Sequence, residues 1–152
     1  MTNIEEESHI KQCYLLAEEA VGNGDKPFGA LPVIDGKVLL TAVNTVNSDN
    51  DKTRHAETNL VTEAWRRFSP HELAQCRLYT STEPCAMCTG AIYVAGIPTI
   101  IFGCSAESLY ELFGSDLSIP SREILALGQR ETAVIGPILE DEGLKIHRAF
   151  WT

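Results

Sequence analysis

The chain of 152 residues predicts a three-layer α/β/α sandwich, with helices on both faces of one sheet and the first two strands paired antiparallel. Three observations carry this. Segments whose apolar residues recur every three or four positions alternate with short β-branched apolar runs. The pair Asp35-Gly36 separates two such runs, as a hairpin turn does. Length and composition, 44% hydrophobic and 22% charged, suit one domain spanning residues 1–152 that buries roughly 70% of its unfolded surface.

In order along the chain, Ser8 is the expected cap of a first helix carrying Ile10, Cys13, Tyr14, Ala17 and Val21 on one face. It stops at Gly22-Asn23-Gly24. Residues 29–34 and 38–44 form the expected hairpin, and a polar loop covers 46–54. Residues 55–68 read as a second helix, with Ala56, Leu60, Ala64 and Phe68 on its inner face. A strand is expected over 77–82. Pro84 opens a third helix to residue 95, since proline fits a first helical turn. A buried strand over 98–102, short helices over 105–113 and 121–127, a last strand over 132–135 and a closing helix over 138–151 complete the chain.

Lysine and arginine number 12 against 21 acidic residues, a net charge of −9. A field of that sign repels phosphate backbones, so no nucleic-acid polymer is expected as partner. The five cysteines are an odd number, and residues 1–8 carry three glutamates and no apolar core, so no signal peptide and no disulfide framework are expected. A reducing cytoplasm is the expected compartment. The longest apolar stretch, residues 90–104, is shorter than a bilayer span and is interrupted by Gly96 and Pro98, so no membrane association is expected.

Chemistry concentrates in two fragments. Arg54-His55-Ala56-Glu57 begins the second helix and Glu83-Pro84-Cys85-Ala86-Met87-Cys88 begins the third. Cys85 and Cys88 share one helix face, in a first turn where free amides favour thiolates. If the two helix starts converge, His55 joins them, giving one nitrogen and two sulfurs, a set suited to Zn²⁺ with a fourth position open for water. Glu57, two residues on, is placed to shuttle protons between that water and a substrate. The alternative is a structural zinc site or a buried cysteine pair, in which Cys104, Cys76 or His71 supplies the fourth ligand.

His55-Ala56-Glu57 with Pro84-Cys85-Ala86-Met87-Cys88 resembles the H-x-E…P-C-x-x-C signature of the zinc-dependent cytidine-deaminase-like superfamily. Pro27-Phe28-Gly29-Ala30, Asn44, Leu78-Tyr79-Thr80 and Gly90-Ala91-Ile92 extend the resemblance over nearly the whole chain. It is nearest to the branch of guanine, guanosine, fungal-type cytosine and tRNA adenosine deaminases. The resemblance implies hydrolytic loss of an exocyclic amino group as ammonia, a five-stranded mixed sheet, one zinc per chain and a homodimer. It also implies roles: His55, Cys85 and Cys88 bind zinc, and Glu57 is the general acid/base. Asn44 and the Ala56 amide hold the base ring, and the Glu83 carbonyl meets the departing amine.

Other residues are assigned by type. Phe28 lines the pocket or fills the core. Phe113, Phe150 and Trp151 are flat surfaces for a base to stack on, and Trp151 is expected to help close the pocket. Asp116 or Glu142 is an acidic acceptor for guanine N–H groups. Cys13 and Cys104 are core residues, His9 and His71 surface ones, and Arg66-Arg67 a solvated helix edge. The expected substrate is a free nucleobase or nucleoside, guanine-type rings ahead of cytosine. An RNA-editing enzyme would need basic clusters that the sequence lacks, and a non-catalytic partner subunit would not need Glu57.

Overall fold

The sheet is set by where apolar residues alternate. In the computed structural model, which describes residues 4–114 and 117–152, β1 (Gly29–Ile34), β4 (Arg77–Thr82) and β5 (Thr99–Cys104) are buried along nearly their whole length. Such double-sided burial is what a sheet covered on both faces requires. Neighbours alternate between the two cores. Leu78 and Ile100 pack on one side with Leu60, Ala64 and Ile92. Tyr79 and Ile101 pack on the other with Ile10, Tyr14 and Leu144. The first layer holds α2 (Ala56–Arg67), α4 (Ala86–Ala95) and α6 (Ser121–Leu125), the second α1 (Ile4–Gly22) and α7 (Glu140–Trp151).

The strand order is β2-β1-β4-β5-β6, with β2 at Lys37–Val38 and β6 at Ala133–Ile135. β1 is antiparallel to β4, whereas β4, β5 and β6 run parallel. The sheet is mixed, as expected, and among the described residues it holds six strands where five are expected, because the second is broken in two. β2 (Lys37–Val38) and β3 (Ala42–Val43) both pair with β1. Val33 faces Val38, yet Ala30 faces Ala42, so the outer strand gains one residue over the interval. Pro32 lies opposite that bulge: its carbonyl accepts from Leu39 N at 3.0 Å, and its ring nitrogen has no hydrogen to return.

Three other expectations shift. α1 already includes Ile4, ahead of the expected cap Ser8, and Glu5, Glu6 and Glu7 lie in a turn where the helix dipole favours acids. A one-turn helix, α3 (Pro70–Leu73), follows α2 and is fixed by a capping box between Ser69 and Glu72. His9 is buried, not on the surface, since its ring packs on Tyr79 at 4.7 Å. His71 and the Arg66-Arg67 pair are exposed, and Cys13 and Cys104 are buried. The remaining helix, α5 (Ala106–Phe113), follows directly on β5. Among the described residues no helix is long and apolar enough to cross a membrane.

Candidate active site

Two helix starts converge at one end of the sheet. His55 is the N-cap residue of α2 and Cys85 that of α4, both in extended backbone and neither spending its side chain on the cap. Each side chain is therefore free to point away from its helix toward the other. Cys88, one turn into α4, completes the group. His55 Nδ1 lies 3.6 Å from Cys85 Sγ and 3.5 Å from Cys88 Sγ. Zinc bonded to one imidazole and two thiolates at tetrahedral angles sets nitrogen and sulfur about 3.5 Å apart, so both nitrogen–sulfur separations match a zinc site, and all three donor atoms lie within 4.8 Å of one another. Among the described residues no fourth histidine, cysteine or carboxylate joins them. Cys104 Sγ is engaged with the Tyr14 hydroxyl and the Glu140 carbonyl on the opposite side of the sheet. Cys76 is buried in the α2–α4 core, and His71 is exposed.

The electrostatics favour a thiolate. Hydrogen bonds from Cys88 and then His55 hold Cys85 down to about 4, against the opposing effect of burial. The same contacts raise His55, chiefly through Cys85, and push Cys88 up. Glu57, on the first turn of α2, is buried beside them. Burial first and the Cys85 charge second push its carboxyl up to about 7.

His55, Glu57 and Cys85 line a cavity of about 310 Å³. Phe28, Phe113 and Trp151 supply aromatic walls, and Leu109, Leu117 and Ile119 add aliphatic ones. No lysine or arginine lines it among the described residues. A larger groove of about 760 Å³ runs between α1 and α7, away from the cysteines. Phe150 and Glu142 belong to that groove and not to the site.

The expected ring-binding residues divide. Glu83 lines the cavity. Asn44 is buried at the end of β3, its Oδ1 accepting from Val46 N at 3.0 Å, and Ala56 is fully buried at the first position of α2. Neither belongs to the cavity wall. Asp116 lies outside the described residues. The loop that carries Asn44 toward His55 is pinned by Asp25, which accepts from Asn47 N and Ser48 N at 2.9 Å each.

Two residues gain parts that sequence reasoning did not give them. The Glu83 side chain, 7% exposed, accepts from Ala106 N at 2.9 Å and from Ser121 N and Oγ at 2.8 and 2.7 Å. One carboxylate thus ties the start of α5 and the start of α6 to the segment that carries Cys85. His147, 2% exposed, stands behind the aromatic wall. It contacts Phe28 and Phe113 at ring separations of 5.4 and 6.4 Å, and Trp151 Nε1 donates to its Nδ1 at 3.1 Å. Its position four residues before Trp151 on a helix was the available signal.

A family model for the cytidine and deoxycytidylate deaminase zinc-binding region matches residues 3–104. A probable cytosine deaminase of Schizosaccharomyces pombe is 39% identical over 153 residues, covering 95% of this chain and 91% of that protein. A guanine deaminase of Bacillus subtilis is 38% identical over 119 residues, or 78% and 76% of the two chains. tRNA-specific adenosine deaminases match as well, over about two thirds of this chain in Buchnera aphidicola. A solved guanine deaminase from Nitrosomonas europaea superposes with a TM-score of 0.83 over 98% of this chain and 85% of that one, at 22% identity, which shows the shared fold.

Proposed function

Because this chain belongs to the cytidine and deoxycytidylate deaminase zinc-binding family, we propose that it deaminates a free nucleobase or nucleoside, a guanine-type ring ahead of cytosine. It is a zinc-binding deaminase, a hydrolase of C–N bonds. His55, Cys85 and Cys88 hold the metal, which when bound supplies Lewis-acid activation of water. Glu57 lines the cavity beside those ligands. It takes one proton from the attacking water and delivers it to a ring nitrogen, then takes the second proton from the added hydroxyl and gives it to the departing amine, so that the C–N bond breaks, ammonia leaves and the ring keeps an oxo group. Phe28, Phe113 and Trp151 hold the flat ring and exclude water. The Glu83 carbonyl is assigned to the leaving group on the cavity wall, while Asn44 and the Ala56 amide, buried outside that wall, are assigned to the ring edge on the family resemblance alone.

One observation carries the substrate class. The cavity is small, about 310 Å³, walled by aromatic and aliphatic side chains, and lined by no lysine or arginine among the described residues. A volume at the low end of small-molecule sites suits one base or nucleoside. A polynucleotide brings a phosphate with every residue, each needing a cation for affinity at physiological salt. The guanine-type ring is supported by the Bacillus subtilis relative. Cytosine is the second reading, supported by the Schizosaccharomyces pombe relative at 39% identity.

The chain is proposed to act as a homodimer. α4 exposes Met87 and Val94, and neighbouring α2 exposes Trp65, an apolar group that a second copy would cover. Cys13, Cys76 and Cys104, unpaired thiols outside the metal site, support a reducing, cytoplasmic setting. The test is ammonia release by zinc-loaded protein from guanine, guanosine, cytosine, cytidine and adenine, with a tRNA anticodon stem-loop in parallel. Turnover on guanine or cytosine is expected. Turnover on the stem-loop alone would refute the assignment of substrate class.

A further inference from the structure

Trp151, His147 and Thr82 form a hydrogen-bonded series with a fixed proton order. Trp151 Nε1 donates to His147 Nδ1 at 3.1 Å, and His147 Nε2 lies 2.9 Å from Thr82 Oγ1. An indole nitrogen only donates, so Nδ1 carries no proton. A neutral imidazole has one N–H, which is therefore on Nε2 and donates to the threonine. An imidazolium would set two N–H groups against each other at the indole, and burial holds His147 down to about 4, keeping the ring neutral. Thr82 Oγ1 thus accepts from behind. Its own O–H meets no protein acceptor among the described residues, and Thr82 lines the cavity with Phe28 and Trp151.

We infer that Thr82 donates this hydrogen bond to a carbonyl oxygen of the substrate ring, and that His147 is the positioning residue that fixes the donor's direction. The inference rests on the proposed free-base substrate. Guanine and cytosine both carry a ring carbonyl, and adenine has none. The site would then select oxo-rings by a donor that is held from behind, and the same histidine would keep Trp151 against the cavity.

The proton order is tested without substrate. ¹⁵N NMR of the zinc-loaded protein is expected to show His147 neutral at pH 7, with Nε2 protonated and Nδ1 bare. A protonated Nδ1 would overturn the inference. The contact is tested by Thr82→Val, which keeps shape and removes the hydroxyl. KM for the oxo-ring substrate is expected to rise about tenfold, the loss of one hydrogen bond, with kcat falling less, zinc at one per chain and Thr82→Ser restoring KM. Inhibition by 2-aminopurine, which is guanine without its carbonyl, should be the same in wild type and Thr82→Val. Equal KM values in wild type and Thr82→Val, or a tenfold loss of 2-aminopurine inhibition as well, would overturn the contact. A wild-type protein active on no free base would instead refute the substrate class, and the NMR result would still decide the proton order.

Discussion

Replacing Glu83 by alanine should loosen the cavity wall without touching the metal. Its carboxylate accepts from Ala106 N, Ser121 N and Ser121 Oγ, and Ser121 is fully buried. The substitution leaves two backbone N–H groups without partners, at about 1–3 kcal/mol each. Removing a buried carboxylate also relieves part of its own desolvation cost. The net loss is about 3 kcal/mol. For a chain of this size each kcal/mol moves the midpoint by about 2–4 °C, so Tm should fall by about 6–12 °C. Glu83→Gln should lose about half as much, because its amide oxygen still accepts one of the N–H groups while its NH₂ opposes the other. Zinc content should stay at one per chain, since His55, Cys85 and Cys88 sit on α2 and α4. KM should rise, because Leu109, Phe113 and Ile119 form the wall that Glu83 tethers. Thermal unfolding, metal analysis and steady-state kinetics read these separately. A Glu83→Ala protein within 2 °C of wild type, with unchanged KM, would refute the tether.

Cys85→Ser should drop zinc well below one per chain after dialysis against a mild chelator and abolish turnover, because the held-down thiolate is replaced by a poor zinc ligand. Full zinc occupancy by metal analysis would contradict the ligand set. His147 predicts a pH slope: burial lowers it from 6.5 to about 4, so between those values the unfolded chain binds a proton that the folded chain does not. This group's share of stability is therefore intact above pH 6.5 and lost as pH falls toward 4, by roughly 3 kcal/mol. Urea unfolding of the zinc-loaded protein at pH 7 and pH 4 should show wild type losing about that much more than His147→Asn. Equal losses would mean that His147 is not held neutral.

The metal cluster was legible because each half is local and the pair matches a family signature. Cys85 and Cys88 are one turn apart, and His55 and Glu57 share a helix start, but that the halves meet across 30 residues came from the resemblance, not from spacing. The layered fold was legible for a similar reason, since β1, β4 and β5 are apolar runs between helical periods. What escaped was fixed by partners far along the chain. The break between β2 and β3 depends on which side of β1 the Pro32 nitrogen faces, and that is a property of the pairing. The Glu83 carboxylate finds its donors 23 and 38 residues away, and the His147 ring finds Thr82 65 residues away. No window of sequence contains either contact. His9 looked like a surface residue because Tyr79, on which it packs, belongs to a distant strand.

The most direct test of the account is ammonia release from guanine by zinc-loaded wild type and by zinc-loaded Glu57→Gln at equal protein concentration. Wild type should release one ammonia per guanine consumed. The variant should keep its fold and one zinc per chain, yet turn over about 10²- to 10⁴-fold more slowly, because the group that carries protons from water to ring and amine is gone. A Glu57→Gln protein within a few-fold of wild type would contradict proton transfer by Glu57 at the His55, Cys85 and Cys88 centre.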